Sequence, residues 1–170
     1  STYSYHRLLN RARNLLGQGD ATMTRRESPA GPVKVDDAGL YVSDLGGALE
    51  SDASFATISL CLTADQLAHH EVRRDLYIRD EEDENLDLMT VVRGAVDSVD
   101  ALLAEGHRVL VHCHGGRSRT GLVAKAWAMR RHGFDEREAH DWLRARWHRY
   151  DDYRQSFVDF LQNDWPASIN

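Results

Sequence analysis

A small, mainly parallel β-sheet flanked by helices is the α/β fold class this sequence predicts, and three observations predict it. Short runs rich in apolar and β-branched residues, at 40–42, 55–62, 72–78 and 109–112, are separated by helical or turn-like stretches. The run Val109-Leu110-Val111-His112 is apolar on both faces until its last residue, as a strand covered on both sides would be, so it is placed at the centre of the sheet. Leu88, Val92, Ala95, Val96, Val99, Leu102 and Leu103 recur at spacings of three and four, the stripe of an amphipathic helix.

The chain has 170 residues, of which 42% are hydrophobic and 28% charged, a composition that suits one globular domain. The formal net charge of −6 argues against general nucleic-acid binding through the overall field. No apolar run is long enough to span a bilayer, and the N-terminus carries no apolar signal-peptide core. The two cysteines, Cys61 and Cys113, do not make a disulfide framework, so a reducing, cytoplasmic compartment is expected.

Taken in order, residues 1–38 are read as an N-terminal helix and a wrapping loop. Tyr5, Leu8, Leu9, Ala12, Leu15 and Leu16 share one face of a helix over 3–17, with Arg7, Arg11 and Arg13 off that stripe. Glycine and proline punctuate 18–38, where Arg25 and Arg26 also lie. The main domain is placed at 39–163. It opens with a strand at Leu40-Tyr41-Val42, a short helix at 45–49 and a buried strand at 55–62. Thr63 and Gln66 have capping-box spacing, which predicts a turn of helix. A third strand is read at 72–78, and the acidic run 80–84 leads into the helix that ends at Gly106. After the 109–112 strand come a helix over 120–131, a second begun by Asp135 and Glu138, and a third over 151–162. Residues 164–170 form a tail. Trp127, Trp142, Trp147 and Trp165 are taken as core or capping aromatics.

The functional signal lies between the central strand and the helix that follows. Cys113 opens a loop of small, basic and hydroxylic residues, His114-Gly115-Gly116-Arg117-Ser118, and Arg119 closes it. A strand, tight loop and helix start aim backbone N–H groups and a helix N-terminus at one point, which makes an oxyanion site. A thiol held there ionises more readily than its reference pKa of about 8.5 allows. The loop thus combines a thiolate nucleophile with an anion cradle. A structural cysteine would not explain the arginine, glycines and hydroxyls at these offsets. His112, Cys113 and His114 do not read as a metal site, because neighbouring strand residues point apart. A nucleotide phosphate loop would end in Gly-Lys-Ser/Thr, and here the ending is Arg-Thr-Gly.

The pattern His-Cys-x-x-Gly-x-x-Arg-Thr-Gly resembles the active-site loop of the cysteine-based protein tyrosine phosphatase superfamily, and the short chain looks most like its dual-specificity branch. A rhodanese-like domain also places a cysteine in an anion-cradling loop, but the leading histidine and the Arg-Thr-Gly ending argue against it. The resemblance implies that Cys113 attacks phosphorus, and that Arg119 with the N–H groups of residues 114–119 holds the phosphate oxygens. It implies that Thr120 hydrogen-bonds the sulfur in the second step, that His112 shapes the loop from behind, and that no metal or cofactor is required. The general acid it requires is assigned to Asp80, with Asp83 as the alternative within the acidic run.

The expected partner is a phosphorylated protein or peptide, phosphotyrosine foremost, with phosphoserine or phosphothreonine also accepted. His114 and Arg117 resemble the basic pair of phosphoinositide-phosphatase loops, which makes a phosphoinositide or other small phosphate ester the alternative. A catalytically inactive phospho-binding module is the alternative of another class. Cys61 is read as core packing or as a resolving thiol for oxidised Cys113. Gln155 is read as a surface residue, with water positioning as its alternative role.

Overall fold

The sheet begins earlier than the hydrophobic pattern indicates. In the computed structural model, which describes residues 28–79 and 87–166, strand β1 (Val33–Asp36) lies inside the stretch read as a wrapping loop. It pairs antiparallel with β2 (Leu40–Ser43) across the turn at Gly39. The expected helix at 3–17 and Arg7, Arg11, Arg13, Arg25 and Arg26 lie outside the described residues, as do Asp80 and Asp83.

After β2 comes a short helix α1 (Leu45–Leu49), then β3 (Ala56–Ser59) and β4 (Arg73–Asp75). Helix α2 (Leu88–Ala104) leads to β5 (Val109–His112). Helices α3 (Ser118–His132), α4 (Glu136–Arg146) and α5 (Gln155–Asn163) complete the described fold. The strand order is β1-β2-β5-β3-β4, and every pairing except β1 with β2 is parallel. β5 is therefore central, and all of its residues are buried, as its apolar run requires.

The expected turn of helix after Thr63 is not formed. Gln66, Ala68 and His70 each donate to the carbonyl three residues back, giving a succession of tight turns. The chain cannot coil further there, because the Val72 carbonyl must accept from Thr57 N–H at 2.9 Å to start β4. The strands read at 55–62 and 72–78 form only over their middles, and the last helix starts at Gln155 rather than at 151.

Helix α3 is the organising helix. All residues from Ser118 to Met129 are buried, so it lies between the sheet and the remaining helices. On one side, Arg130 reaches Asp97 and Asp100 of α2 at 2.7 Å each, and Trp127 Nε1 donates to Asp100 at 2.8 Å. On the other, Phe157, Phe160 and Leu161 of α5 join its core, and Trp165 Nε1 donates to the Ala126 carbonyl at 3.1 Å. Helix α4 starts with the capping box expected from Asp135 and Glu138.

Candidate active site

The loop from Cys113 to Arg119 emerges where three parallel strands end together. Ser43, His112 and Ser59 are in register across β2, β5 and β3, so the loop leaves from the carboxyl edge of the sheet. Open α/β sheets bind ligands at this edge.

His112 is fully buried beneath the loop. Its Nδ1 lies 3.1 Å from the Cys113 carbonyl oxygen and its Nε2 lies 2.6 Å from Ser59 Oγ. A carbonyl only accepts, so Nδ1 carries the proton and Nε2 accepts from the serine hydroxyl. Burial is the main reason its pKa falls from 6.5 to about 4. The imidazole is thus neutral and fixed in one tautomer.

This predicts a pH effect on stability. Between pH 6.5 and about 4 the unfolded chain takes up a proton that the folded chain refuses, so stability falls with pH through that window, by up to about 3 kcal/mol. His70, also held below its ordinary pKa mainly by burial, adds the same sign. Urea unfolding at pH 7 and at pH 4.5 should show the loss, and His112→Asn should flatten it. An unchanged slope in that variant contradicts the assignment.

Cys113 is 2% exposed and Arg119 is 6% exposed. Arg119 NH1 donates to the Ile78 carbonyl at 3.1 Å and lies 3.5 Å from that of Leu60. The arginine thus ties the Cys113–Arg119 loop to the segments that follow β3 and β4. Thr120 is buried, and its hydroxyl makes no hydrogen bond among the described residues. Helix α3 starts at Ser118, two residues before the expected start, so Ser118 and Arg119 belong to its first turn. No side chain caps that helix, and its leading N–H groups face the loop.

The loop is held from outside by groups far away in sequence. Leu45 N–H donates to the His114 carbonyl at 2.9 Å, and Trp147 Nε1 donates to the Gly116 carbonyl at 2.6 Å. Gly116 has φ +70°, and a Cβ there would sit 3.0 Å from Ser43 O and Asp44 N. The carboxylate of Asp44 receives N–H groups from Ala30 and Gly47 and a guanidinium N–H from Arg149, while Arg149 NH2 donates to Ser28 O.

Behind Thr120, Gly121 lies against Tyr150. A Cβ at Gly121 would come within 2.7 Å of the Tyr150 ring, which is held by a 2.8 Å hydrogen bond to His140. Gly121→Ala is expected to lower unfolding stability by about 1–3 kcal/mol, the usual effect of overpacking. Chemical denaturation measures this; an unaffected midpoint would show that the ring moves freely.

Cys61 is buried one residue beyond Leu60, and neither cysteine is in a disulfide. Gln155 is exposed and bonds Asp159 of its own helix, which fits a surface residue. Arg144 lies over the Tyr150 ring and Arg146 over the Trp142 ring, and Arg149 bonds Asp44. Among the described residues, Glu136, His140 and Asp152 could bring ligand atoms to one metal ion, but Lys125 Nζ already sits 3.1 Å from Glu136. Sequence reasoning missed Ser59, Asp44, Trp147 and Tyr150 as supports of the loop. Each acts across the fold, and none carries a local signature.

The family model described as dual specificity phosphatase, catalytic domain, matches residues 48–159. The chain is 31% identical over 138 residues to the Drosophila melanogaster dual specificity protein phosphatase MPK-4, covering 76% of this chain and 36% of that protein. The chain thus spans about a third of that relative's length. Two human crystal structures share the fold. DUSP28 gives a TM-score of 0.69 at 20% identity, over 85% of this chain and 100% of that chain. The tyrosine phosphatase-like serine/threonine/tyrosine-interacting protein gives 0.68 at 19%, with the same coverages. With a family match that begins in α1, takes in the whole Cys113–Arg119 loop and runs into α5, the chain belongs to the dual specificity phosphatase catalytic-domain family.

Proposed function

We propose that this domain hydrolyses phosphate monoesters, phosphotyrosine in proteins or peptides foremost, through a phosphocysteine intermediate on Cys113. The observation that carries the reading is the loop itself. A buried cysteine and a buried arginine flank a turn whose carbonyls at 113, 114 and 116 are all taken by donors outside it. The loop's free face is thereby left to N–H groups, which suits the equatorial oxygens of a phosphoryl group.

In the first step Cys113 Sγ, as thiolate, forms the S–P bond while the P–O bond to the leaving phenol breaks. Arg119 and the loop N–H groups at 114–119 hold the other oxygens. Asp80 gives its proton to the leaving oxygen. In the second step water attacks phosphorus, its proton returns to Asp80, and the S–P bond breaks. The Thr120 hydroxyl then donates to the departing thiolate. Support for Asp80 over Asp83 comes from Ile78, whose carbonyl is held by Arg119 at 3.1 Å. Asp80 is two positions beyond that anchor in the chain and Asp83 is five. A reducing compartment such as the cytoplasm suits a catalytic thiol.

Acid quench of a pre-steady-state reaction with a phosphotyrosine peptide should leave phosphate covalently on the peptide that contains Cys113. Turnover with no trapped adduct in any time window would remove the covalent mechanism. A second reading rests on a cavity of about 610 Å³ beside the loop, lined by Arg117, His148 and Arg149 with residues 28–31. It offers room and positive charge for a phosphoinositide head group. The Asp44 carboxylate offsets Arg149, so the peptide is favoured. A large kcat/KM preference for a soluble phosphoinositide over the phosphotyrosine peptide would reverse that choice.

A further inference from the structure

A loop that binds an anion has to turn its carbonyl oxygens away from it. In a trans peptide the C=O and the following N–H point in opposite directions, so a donor that captures the carbonyl from outside aims the N–H inward. Three peptides of the loop are set this way. His112 Nδ1–H takes the Cys113 carbonyl and so aims the His114 N–H. Leu45 N–H takes the His114 carbonyl and so aims the Gly115 N–H. Trp147 Nε1–H takes the Gly116 carbonyl and so aims the Arg117 N–H.

The third peptide is the one most in need of a lock. Gly116 is at φ +70°, and a glycine moves between positive and negative φ at little energetic cost. Arg117, on the other side of that peptide, is the N-cap residue just before the first turn of α3. Trp147 is itself well fixed. It is 1% exposed, and its backbone N–H closes α4 onto the Leu143 carbonyl at 2.8 Å.

We propose that Trp147 is a positioning residue for phosphate: its indole N–H, 2.6 Å from the Gly116 carbonyl, holds the Gly116–Arg117 peptide so that the Arg117 N–H faces the phosphoryl oxygens. The inference rests on the reading of the loop as a phosphate site. It makes the end of α4 part of substrate recognition, although Trp147 touches no substrate.

The test compares Trp147→Phe with Trp165→Phe. Trp165 also donates its indole N–H to a buried carbonyl, that of Ala126, away from the loop. Trp147→Phe should weaken inorganic phosphate binding and lower kcat/KM on p-nitrophenyl phosphate, each about tenfold, the scale of a lost well-placed hydrogen bond. Trp165→Phe should lose comparable thermal stability with kinetics unchanged within about twofold. In amide NMR spectra, phosphate should shift the Arg117 resonance in wild type and much less in Trp147→Phe. If the phenylalanine variant does not fold, benzothienylalanine placed at position 147 keeps the ring shape and removes only the N–H. Phosphate affinity equal to wild type in the variant that lacks the N–H, or equal losses in both tryptophan variants, overturns the proposal. Wild-type protein that binds phosphate without hydrolysing esters sinks the catalytic reading alone, since the binding comparison still decides for or against Trp147. Wild-type protein that binds no phosphate overturns both.

Discussion

Cys113→Ser is expected to lower kcat on p-nitrophenyl phosphate by about four orders of magnitude, the scale seen when a covalent catalyst loses its nucleophile. The substitution replaces sulfur by a smaller oxygen in a site that is 2% exposed, and it removes no hydrogen bond that shapes the loop. The Cys113 carbonyl stays on His112, the His114 carbonyl on Leu45 and the Gly116 carbonyl on Trp147. Fold and phosphate binding should therefore survive while chemistry stops, because a serine hydroxyl gives up its proton far less readily than a thiol and is a much weaker nucleophile. Steady-state kinetics with phosphate titration on the same preparation separates the two effects. Residual activity within tenfold of wild type would mean that Cys113 is not the nucleophile.

Arg119→Lys should reduce kcat/KM by about 10²–10³, comparable to removing a preorganised donor from an oxyanion site. A lysine keeps the charge but loses the planar fork that grips two oxygens together. Its ammonium also cannot hold the Ile78 carbonyl while binding phosphate, so the segment leading to Asp80 would lose its tie to the loop. Arg119→Ala should fall further, and added guanidinium should recover part of the loss by occupying the same place. A lysine variant within threefold of wild type would argue that charge alone matters. Failure of guanidinium to restore any activity in the alanine variant would argue against a direct contact of the guanidinium with phosphate.

Both variants strike residues that the chain announces. β5, the Cys113–Arg119 loop and α2 are legible because their signals are local: a continuous apolar run, a dense group of chemically distinctive residues, and a stripe repeated over several turns. β1 is not, since Val33–Asp36 alternates with charged residues and becomes a strand only by pairing with β2. The Thr63–Gln66 signature points to helix, but among the apolar residues of 62–69 Leu67 alone is buried, in a cluster with Phe55 and Tyr41, while Leu62 is 72% exposed. One apolar contact does not sustain a helix against the demand of the next strand. The start of α3 lies two residues before the predicted one because no side chain caps it, so the usual marker of a helix start is missing there. Asp44, Trp147 and Tyr150 support the loop through contacts such as Arg149 to Asp44, 105 residues apart, and Trp147 to Gly116, 31 apart. Only a folded chain displays those.

The strand order also sets a sequence of events during synthesis. β2 and β3 are near neighbours in the chain, yet each bonds to β5 and neither to the other. Until residues 109–112 have left the ribosome, the earlier strands have a gap where their common partner belongs. A chain ending after α2 would therefore lack the strand that joins the β1–β2 and β3–β4 pairs into one sheet. The strand that fills the gap is the one that ends at His112, next to Cys113. Closure of the sheet waits on long-range parallel pairing, which is slow to form. Closure of the sheet and placement of Cys113 at its carboxyl edge are thus one event, since the strand that joins the two halves is the one that carries the cysteine.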